Sequence, residues 1–262
     1  MNSNDYPQIA SREEWLKVRL ALLAEEKALT RERDRLNRAR RQLPMVAVEQ
    51  DYRFTGPEGE VGLADLFAGK RQLIVYHFMF HRDRGEGCPG CSFVVDNIGH
   101  QAHLTARDTR LVLVSRAPLE ELEAFKRRMG WTLPWYSSFG SPFNYDFHVT
   151  LDEGVAPIEY NYRDKAELAR LGLNYQLEGE QPGLSVFLRD GDRVFHSYST
   201  YSRGLDILCT TYNYLDLTPL GRGEGWDGMP DLGGGLDWTR LHDRYEENPA
   251  AAHDCCASAK AR

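Results

Sequence analysis

Two cysteines separated by two residues are the part of the chain best suited to chemistry. They lie in Cys88-Pro89-Gly90-Cys91, shortly after an apolar segment of strand length at residues 73–80. Cys88 is expected to cap a helix, with Pro89 as its first residue and Cys91 one turn further on. Residues so placed can bring their Cα atoms within disulfide range, about 4.4–6.8 Å. The helix N-terminus stabilises a thiolate, so the motif predicts disulfide exchange with Cys88 attacking and Cys91 resolving.

Other interpretations of the cysteines remain open. Cys-x-x-Cys is half of a common zinc ligand set, and His253, Cys255 and Cys256 can supply the rest. Two unreactive buried thiols are another alternative. Cys209, inside an apolar helical segment, is expected to be a small core residue. Cys255-Cys256 is either an exposed tail without function or a mobile dithiol that exchanges with the main pair.

A long helix is expected at residues 11–43. Ser11 and Glu14 can form a capping box at its start, and Pro44 stops it. Apolar side chains recur at seven-residue spacing on one stripe: Trp15, Leu22, Leu29, Leu36 and Leu43. This stripe either faces the chain's own domain or packs on a second subunit as a homodimer arm.

The remaining elements alternate between strands and helices. Strands are expected at residues 73–80 and 111–115, a hairpin at residues 184–196, and helices at residues 88–104, 119–129 and 205–215. This order predicts an α/β fold with a mixed central sheet flanked by helices. We divide the chain into a helical arm at residues 1–44, a domain at 45–220 and an irregular C-terminal extension at 221–262.

Composition excludes several classes of partner. The formal charge of −7 argues against general nucleic-acid binding, which needs an excess of Lys and Arg. The N-terminus lacks the apolar stretch of a signal peptide, and no segment has the roughly 18 apolar residues of a membrane helix. We therefore expect a cytoplasmic protein without membrane contact, and neither a cofactor nor a bound metal.

The chain resembles an uncharacterised bacterial thioredoxin-like family of predicted dithiol–disulfide oxidoreductases, a domain of unknown function. The resemblance centres on Gly87-Cys88-Pro89-Gly90-Cys91-Ser92-Phe93. It extends through residues 12–16, 23–27, 72–80, 114–118, 129–131, 138–141, 143–147 and 198–201. It implies a thioredoxin-like fold and cytoplasmic redox chemistry but identifies no substrate or reductant. The partner would be a disulfide-containing protein or a small thiol or disulfide.

Two residues gain a role from comparison with thioredoxin-like proteins. These proteins place a cis-proline before the strand that faces the dithiol, and Pro182 precedes the strand expected at residues 184–188. The comparison therefore predicts a cis bond at Pro182. His77 lies roughly where thioredoxins keep a buried carboxylate that handles the resolving thiol's proton. An imidazole can do this near neutral pH, although a histidine that is merely hydrogen-bonded in the core is the alternative.

A more distant likeness is to peroxiredoxins. The segments at residues 63–67 and 115–122, together with Pro89-Gly90-Cys91-Ser92, resemble that group. Cys88, however, stands where peroxiredoxins keep a threonine. Two rivals to disulfide exchange follow: a thiol peroxidase in which Cys91 attacks the peroxide, and a non-enzymatic scaffold or redox sensor.

Overall fold

The computed structural model of the protein describes residues 7–222 and 238–245. The helices are α1 (Arg12–Arg40), α2 (Pro89–Asp96), α3 (Ala102–Thr105), α4 (Leu119–Arg128), α5 (Phe143–Asp146), α6 (Lys165–Arg170) and α7 (Thr210–Leu215). The first strands are β1 (Val46–Ala47), β2 (Arg53–Gly56), β3 (Gly59–Gly62), β4 (Gln72–His77), β5 (Phe80–His81), β6 (Glu86–Gly87) and β7 (Thr109–Ser115). They are followed by β8 (Trp135–Ser137), β9 (Thr150–Leu151), β10 (Glu159–Tyr160), β11 (Arg163–Asp164), β12 (Gly179–Glu180), β13 (Gly183–Asp190) and β14 (Arg193–Tyr201). Turns of 3-10 helix lie at Asp65–Phe67, Asn174–Gln176, Ser202–Leu208 and His242–Arg244.

An eight-stranded mixed sheet forms the centre, in the order β1-β14-β13-β4-β7-β8-β2-β3. Strand β4 runs parallel to β7 on one side and antiparallel to β13 on the other, and β13 and β14 form a hairpin. Along the chain, α2 lies between β4 and β7, and α4 follows β7. This order of strands and helices is that of a thioredoxin-like fold, so the expected fold class is confirmed.

Both faces of the sheet are covered, which explains why β4 and β7 are apolar on both sides. One buried cluster contains Tyr76 and Leu113 with Cys91 of α2. The opposite cluster contains Leu73 and Val75. Successive residues of a strand point to opposite faces, so the direction of each β4 side chain follows from its place in this alternation.

Helix α1 begins as predicted. The Glu14 amide donates to Ser11 Oγ at 3.2 Å, and the Ser11 amide donates to Glu14 Oε2 at 2.9 Å. These two bonds form the capping box. The helix ends at Arg40, three residues before the expected limit, because the chain leaves the helix through a turn ahead of Pro44.

No residue of α1 is buried by the described part of the chain. The seven-residue stripe is exposed; Leu29, for example, is 71% exposed. Within residues 7–222 and 238–245, the stripe therefore does not pack against its own domain, and the first of the two interpretations is wrong. Packing of the stripe on a second subunit stays a prediction, which a molar mass from light scattering would test.

Helix α2 is shorter than the sequence suggested. It ends at Asp96, and a separate helix, α3, begins at Ala102. Asn97 accounts for the break, because its side-chain amide donates to the Phe93 carbonyl at 2.7 Å and its Oδ1 accepts from the Thr211 amide at 2.7 Å. A side chain that bonds backbone groups in this way competes with continuation of the helix.

Two segments outside the core strands contribute to the surroundings of α2. Residues 149–177 form a small cluster of their own, which includes Val149 and Tyr160. The C-terminal residues 238–245 lie against α2, where Trp238 contacts Phe93 at a ring distance of 5.7 Å and His242 contacts Asp96 at 2.9 Å. Across the described residues, no helix is long and apolar enough to cross a membrane.

Candidate active site

Cys88 is the N-cap of α2, and Pro89 is its first residue, as the sequence predicted. The β5–β6 hairpin leads from the end of β4 to this helix. The Cys88 amide donates to the Met79 carbonyl at 3.0 Å, and the Cys88 carbonyl accepts from the Ser92 amide at 2.9 Å. The backbone on both sides of Cys88 is therefore fixed, and its side chain lies at the positive end of the helix dipole.

The two cysteines differ in accessibility. Cys88 is half-buried, whereas Cys91 is only 2% exposed. The Met79 amide donates to Cys91 Sγ at 3.5 Å, so the residue whose carbonyl anchors Cys88 also contacts the second sulfur. Side chains three apart on a helix have Cβ atoms about 5–6 Å apart, a separation that a small local movement brings to disulfide distance. The arrangement allows Cys88 to meet a substrate and Cys91 to meet Cys88.

Tyr76 of β4 is the buried polar side chain beside these thiols. It is 1% exposed and belongs to the cluster that contains Cys91. Its hydroxyl has no partner of good hydrogen-bond geometry among the described residues. Burial raises the pKa of Tyr76 well above its ordinary value, and the nearby Cys91, with which it has a weaker hydrogen-bonding interaction, raises it further. Tyr76 is thus a neutral phenol that can donate a proton or a hydrogen bond to the Cys91 sulfur.

An open pocket of about 170 Å³ lies over the dithiol. Its lining includes Cys88, Cys91 and Tyr76, together with Pro89 and Gly90 from the start of α2. Further lining residues come from four places in the sequence: Tyr160 and Tyr175; Gln181 and Pro182; Ser202, Arg203, Leu205, Asp206, Cys209 and Tyr212; and Thr239. The structure therefore brings the four residues of the motif and Pro182 to one pocket.

The prediction of a cis bond at Pro182 is wrong, because the Gln181–Pro182 bond is trans. The chain runs extended from β12 into β13 and makes no tight turn here. The Gln181 amide donates to the Val149 carbonyl at 2.8 Å, and the Pro182 carbonyl accepts from the Tyr160 hydroxyl at 2.7 Å. These contacts with the inserted residues hold an extended trans backbone. Pro182 still lines the dithiol pocket, as expected from its place before β13.

His77 is not brought to the dithiol. It follows Tyr76 in β4 and so points to the opposite face, where its ring stacks on Phe147 at 5.9 Å. Its Nε2 bonds Ser185 Oγ at 2.8 Å, Ser185 bonds Ser199, and Ser199 bonds His196 Nε2. His77 is thus a hydrogen-bonded core residue, which is the alternative given in the sequence analysis to a role in handling the proton of Cys91.

Burial, with a smaller contribution from the neighbouring His196, lowers the pKa of His77 to about 3. Between pH 6.5 and pH 3 the unfolded chain therefore binds a proton that the folded protein does not. The free energy of unfolding must fall as the solution is acidified, by roughly 2 kcal/mol between pH 6 and pH 4 from His77 alone.

Urea unfolding of the wild type and His77→Gln at these two pH values measures this effect. Gln places an amide near the former Nε2 and does not titrate. We expect the wild type to lose about 2 kcal/mol more than the variant on acidification. An equal loss in both proteins would contradict the assignment of a buried, neutral His77. The pKa of His196 is also lowered by burial, and it contributes to both proteins alike.

His77, which the sequence singles out as a candidate for handling the proton, lies away from the dithiol, whereas Tyr76, which it does not single out, lines the pocket. The strand alternation carried the needed signal, since Tyr76 and Phe78 share a face with Phe80, and the hairpin after Phe80 leads to Cys88. No periodic pattern in the sequence identifies the other lining residues Tyr175, Gln181 and Thr239. They reach the pocket from irregular segments, whose path depends on tertiary packing.

The remaining cysteines fall into two groups. Cys209 is 2% exposed in the core, as expected, and burial raises the pKa of its thiol to about 12. His253, Cys255 and Cys256 lie outside the described residues, so the zinc and tail-dithiol interpretations stay predictions. Within residues 7–222 and 238–245, no group of three or more His, Cys, Asp or Glu side chains is placed to hold a metal ion.

Residues 4–245 match the family described as "Bacterial protein of unknown function (DUF899)". The chain belongs to this family. The match covers the arm, the sheet and the dithiol, and the family resemblance seen in the sequence is confirmed. No sequence among curated proteins matches the chain.

Several solved structures are distantly similar to this DUF899 chain. A mutant of peroxiredoxin Q from Xanthomonas campestris has a TM-score of 0.40 and 11% identity, covering 66% of this chain and 98% of its own. The mitochondrial 2-Cys peroxiredoxin of Plasmodium falciparum has a TM-score of 0.40 and 12% sequence identity. The match covers 66% of this chain and 94% of the peroxiredoxin. A Chlorobium tepidum protein named as the thiol:disulfide interchange protein DsbE has a TM-score of 0.36 and 15% sequence identity. The match covers 66% of this chain and 98% of the Chlorobium protein. The fold assignment rests on the strand and helix order of this chain.

Proposed function

We propose that this DUF899 protein is a thiol–disulfide oxidoreductase. The observation that carries the proposal is the contrast between its two cysteines: a half-buried Cys88 at a helix N-terminus and a buried Cys91 one turn below it. Both line one pocket. An accessible nucleophile with a protected second thiol is the arrangement that disulfide exchange requires.

The reaction proceeds by two displacements. The Cys88 thiolate attacks one sulfur of a substrate R–S–S–R′, the substrate S–S bond breaks, and R′–S⁻ leaves and takes up a proton. Cys91, as thiolate, then attacks Cys88 Sγ, releases R–S⁻ and closes the Cys88–Cys91 disulfide. The substrate gains two electrons and two protons overall, and the protein dithiol is oxidised. An external thiol must reduce the protein again for the next cycle.

The residues around Cys91 suit the second displacement. Its sulfur accepts a hydrogen bond from the Met79 amide, and such a bond is stronger to a thiolate than to a thiol. The neutral Tyr76 phenol beside it can donate a further hydrogen bond. Because His77 faces the other side of the sheet, we assign the supporting role to Tyr76.

Peroxide reduction is a second candidate, favoured by the hydrogen bond from the Met79 amide to Cys91 Sγ. In that reaction the Cys91 thiolate attacks the terminal peroxide oxygen. An alcohol or water leaves, and the resulting sulfenic acid condenses with Cys88 to a disulfide and water. The 2% exposure of Cys91 makes disulfide exchange the leading proposal, because Cys88 is the sulfur that a substrate meets first.

The test is a redox titration of the full-length protein against glutathione, with the bridge located by mass spectrometry. We expect a two-electron transition in which only Cys88 and Cys91 become linked. Stopped-flow consumption of hydrogen peroxide, compared with reduction of insulin disulfides, then separates the two candidates. Faster peroxide consumption would favour the peroxidase. No bridge and no exchange with small disulfides would leave the scaffold or sensor hypothesis.

A further inference from the structure

The dithiol lies in a concave pocket that is lined in part by residues outside the core sheet and helices. Tyr160 and Tyr175 reach it from the inserted residues 149–177, and Thr239 reaches it from the C-terminal segment. Cys88 is consequently approached through an opening rather than across a flat surface. A folded protein's disulfide would have to enter that opening, whereas a small molecule can diffuse into it.

Two buried hydroxyls of this pocket lack a well-formed hydrogen bond among the described residues, although Tyr76 has a weaker interaction with Cys91. Tyr76 is 1% exposed and Thr239 is 4% exposed, and neither the Tyr76 hydroxyl oxygen nor Thr239 Oγ1 makes a hydrogen bond of good geometry. A buried hydroxyl without a partner is costly. Both residues line the pocket. Because the single Tyr76 proton is assigned to the Cys91 sulfur, the Thr239 hydroxyl is the one that can donate to a polar atom of a bound molecule.

The pocket offers little net charge. Arg203 and Asp206 are the two charged residues among its described lining. They pair with each other at 2.9 Å, and Asp206 also contacts Arg222 at 3.3 Å. The ionic groups are thus engaged with one another, and a substrate carrying several charges would lose solvation without gaining a dedicated partner.

The available space is small. An engineered cavity of about 150 Å³ in another protein holds one benzene molecule, and this pocket has about 170 Å³. Each half of a short-chain organic disulfide is of that size or smaller. Glutathione disulfide and a peptide loop are much larger.

We infer that the substrate is a small, uncharged organic disulfide that carries a hydrogen-bond acceptor for the Thr239 hydroxyl. The inference rests on the proposed disulfide exchange and specifies its substrate class. The electron balance is unchanged: one molecule of R–S–S–R becomes two of R–SH, and the dithiol becomes the Cys88–Cys91 disulfide.

The test uses the reduced full-length protein in single-turnover reactions. The substrates are bis(2-hydroxyethyl) disulfide, dimethyl disulfide, oxidised glutathione and insulin. The rate at which the protein reduces each substrate is divided by the rate at which dithiothreitol reduces the same substrate. We expect bis(2-hydroxyethyl) disulfide to react at least about tenfold faster than glutathione disulfide or insulin on this scale, the discrimination expected of a pocket with polar groups to satisfy.

A variant separates recognition from reactivity. Thr239→Val removes the hydroxyl and keeps the shape. We expect the substitution to slow the reduction of bis(2-hydroxyethyl) disulfide about five- to tenfold. The rate for dimethyl disulfide, which has no acceptor oxygen, should not change. Thr218→Val is the matched control, because the exposed Thr218 hydroxyl bonds the Leu215 carbonyl and lies outside the pocket lining.

The outcomes distinguish the inference from the proposed function. Rapid reduction of insulin or glutathione disulfide, with bis(2-hydroxyethyl) disulfide slower, would overturn the substrate class while exchange at Cys88 stands. Equal normalised rates for all substrates, or an equal effect of Thr239→Val on both small disulfides, would also overturn it. If no disulfide reacts, the proposed function itself fails and the inference fails with it.

Discussion

Cys91→Ser is expected to accumulate a stable mixed disulfide between Cys88 and the substrate, whereas Cys88→Ser is expected to lose exchange altogether. The reason is the order of the two sulfurs: the half-buried one meets the substrate, and the buried one releases it. Without Cys91 the first displacement still occurs, but nothing within the site can complete the second. Intact-mass spectrometry after incubation with a disulfide should show nearly stoichiometric addition of R–S at Cys88.

Cys209→Ser is the matched control for that pair. Cys209 lines the same pocket and is as buried as Cys91. Burial raises the pKa of its thiol to about 12, so it is protonated at neutral pH and a poor nucleophile. We expect Cys209→Ser to turn over as the wild type does. Trapping by Cys88→Ser rather than by Cys91→Ser would reverse the assignment and favour attack by Cys91.

The elements that sequence reasoning placed well are those with local causes. The capping box of Ser11 and Glu14 and the stop near Pro44 determine α1 to within a few residues. The hairpin of β13 and β14 follows from Asp190-Gly191 between two apolar segments, where Gly191 has a φ of 61°. Cys88 as N-cap follows from Pro89, whose fixed φ suits the first helical position. In each case the deciding interaction lies within a few residues.

The site features that sequence reasoning missed have non-local causes. The trans bond at Pro182 is held by contacts of Gln181 and Pro182 with Val149 and Tyr160, more than twenty residues away. The pocket walls at Tyr175 and Thr239 arise from packing of segments without periodicity. His77 and Tyr76 are a different case, because strand alternation alone places them on opposite faces of the sheet and predicts that only one of them faces α2.

Gly87→Ala is expected to destabilise the fold and to displace the nucleophile together. Gly87 is buried in β6, immediately before Cys88. An added methyl group would clash with the Phe78 ring and lie 2.8 Å from Phe125 Cε1. Both rings are packed against tryptophan side chains, since the centroids of Phe78 and Trp135 lie 4.7 Å apart and those of Phe125 and Trp131 lie 5.6 Å apart. Overpacking of this kind lowers the free energy of unfolding by about 1–3 kcal/mol.

The movement that relieves the Gly87→Ala clash has to occur in the backbone. Any shift of residue 87 moves the Cys88 amide, which donates to the Met79 carbonyl, and hence Cys88 relative to Cys91. We therefore expect slower alkylation of Cys88 by iodoacetamide and slower exchange under conditions where the variant is folded, measured beside urea unfolding. Gly99→Ala is the control, because nothing lies within 4 Å of its added methyl group. If Gly87→Ala were as stable and as reactive as Gly99→Ala, the hairpin before Cys88 would not hold the nucleophile in place, and α2 alone would have to position it.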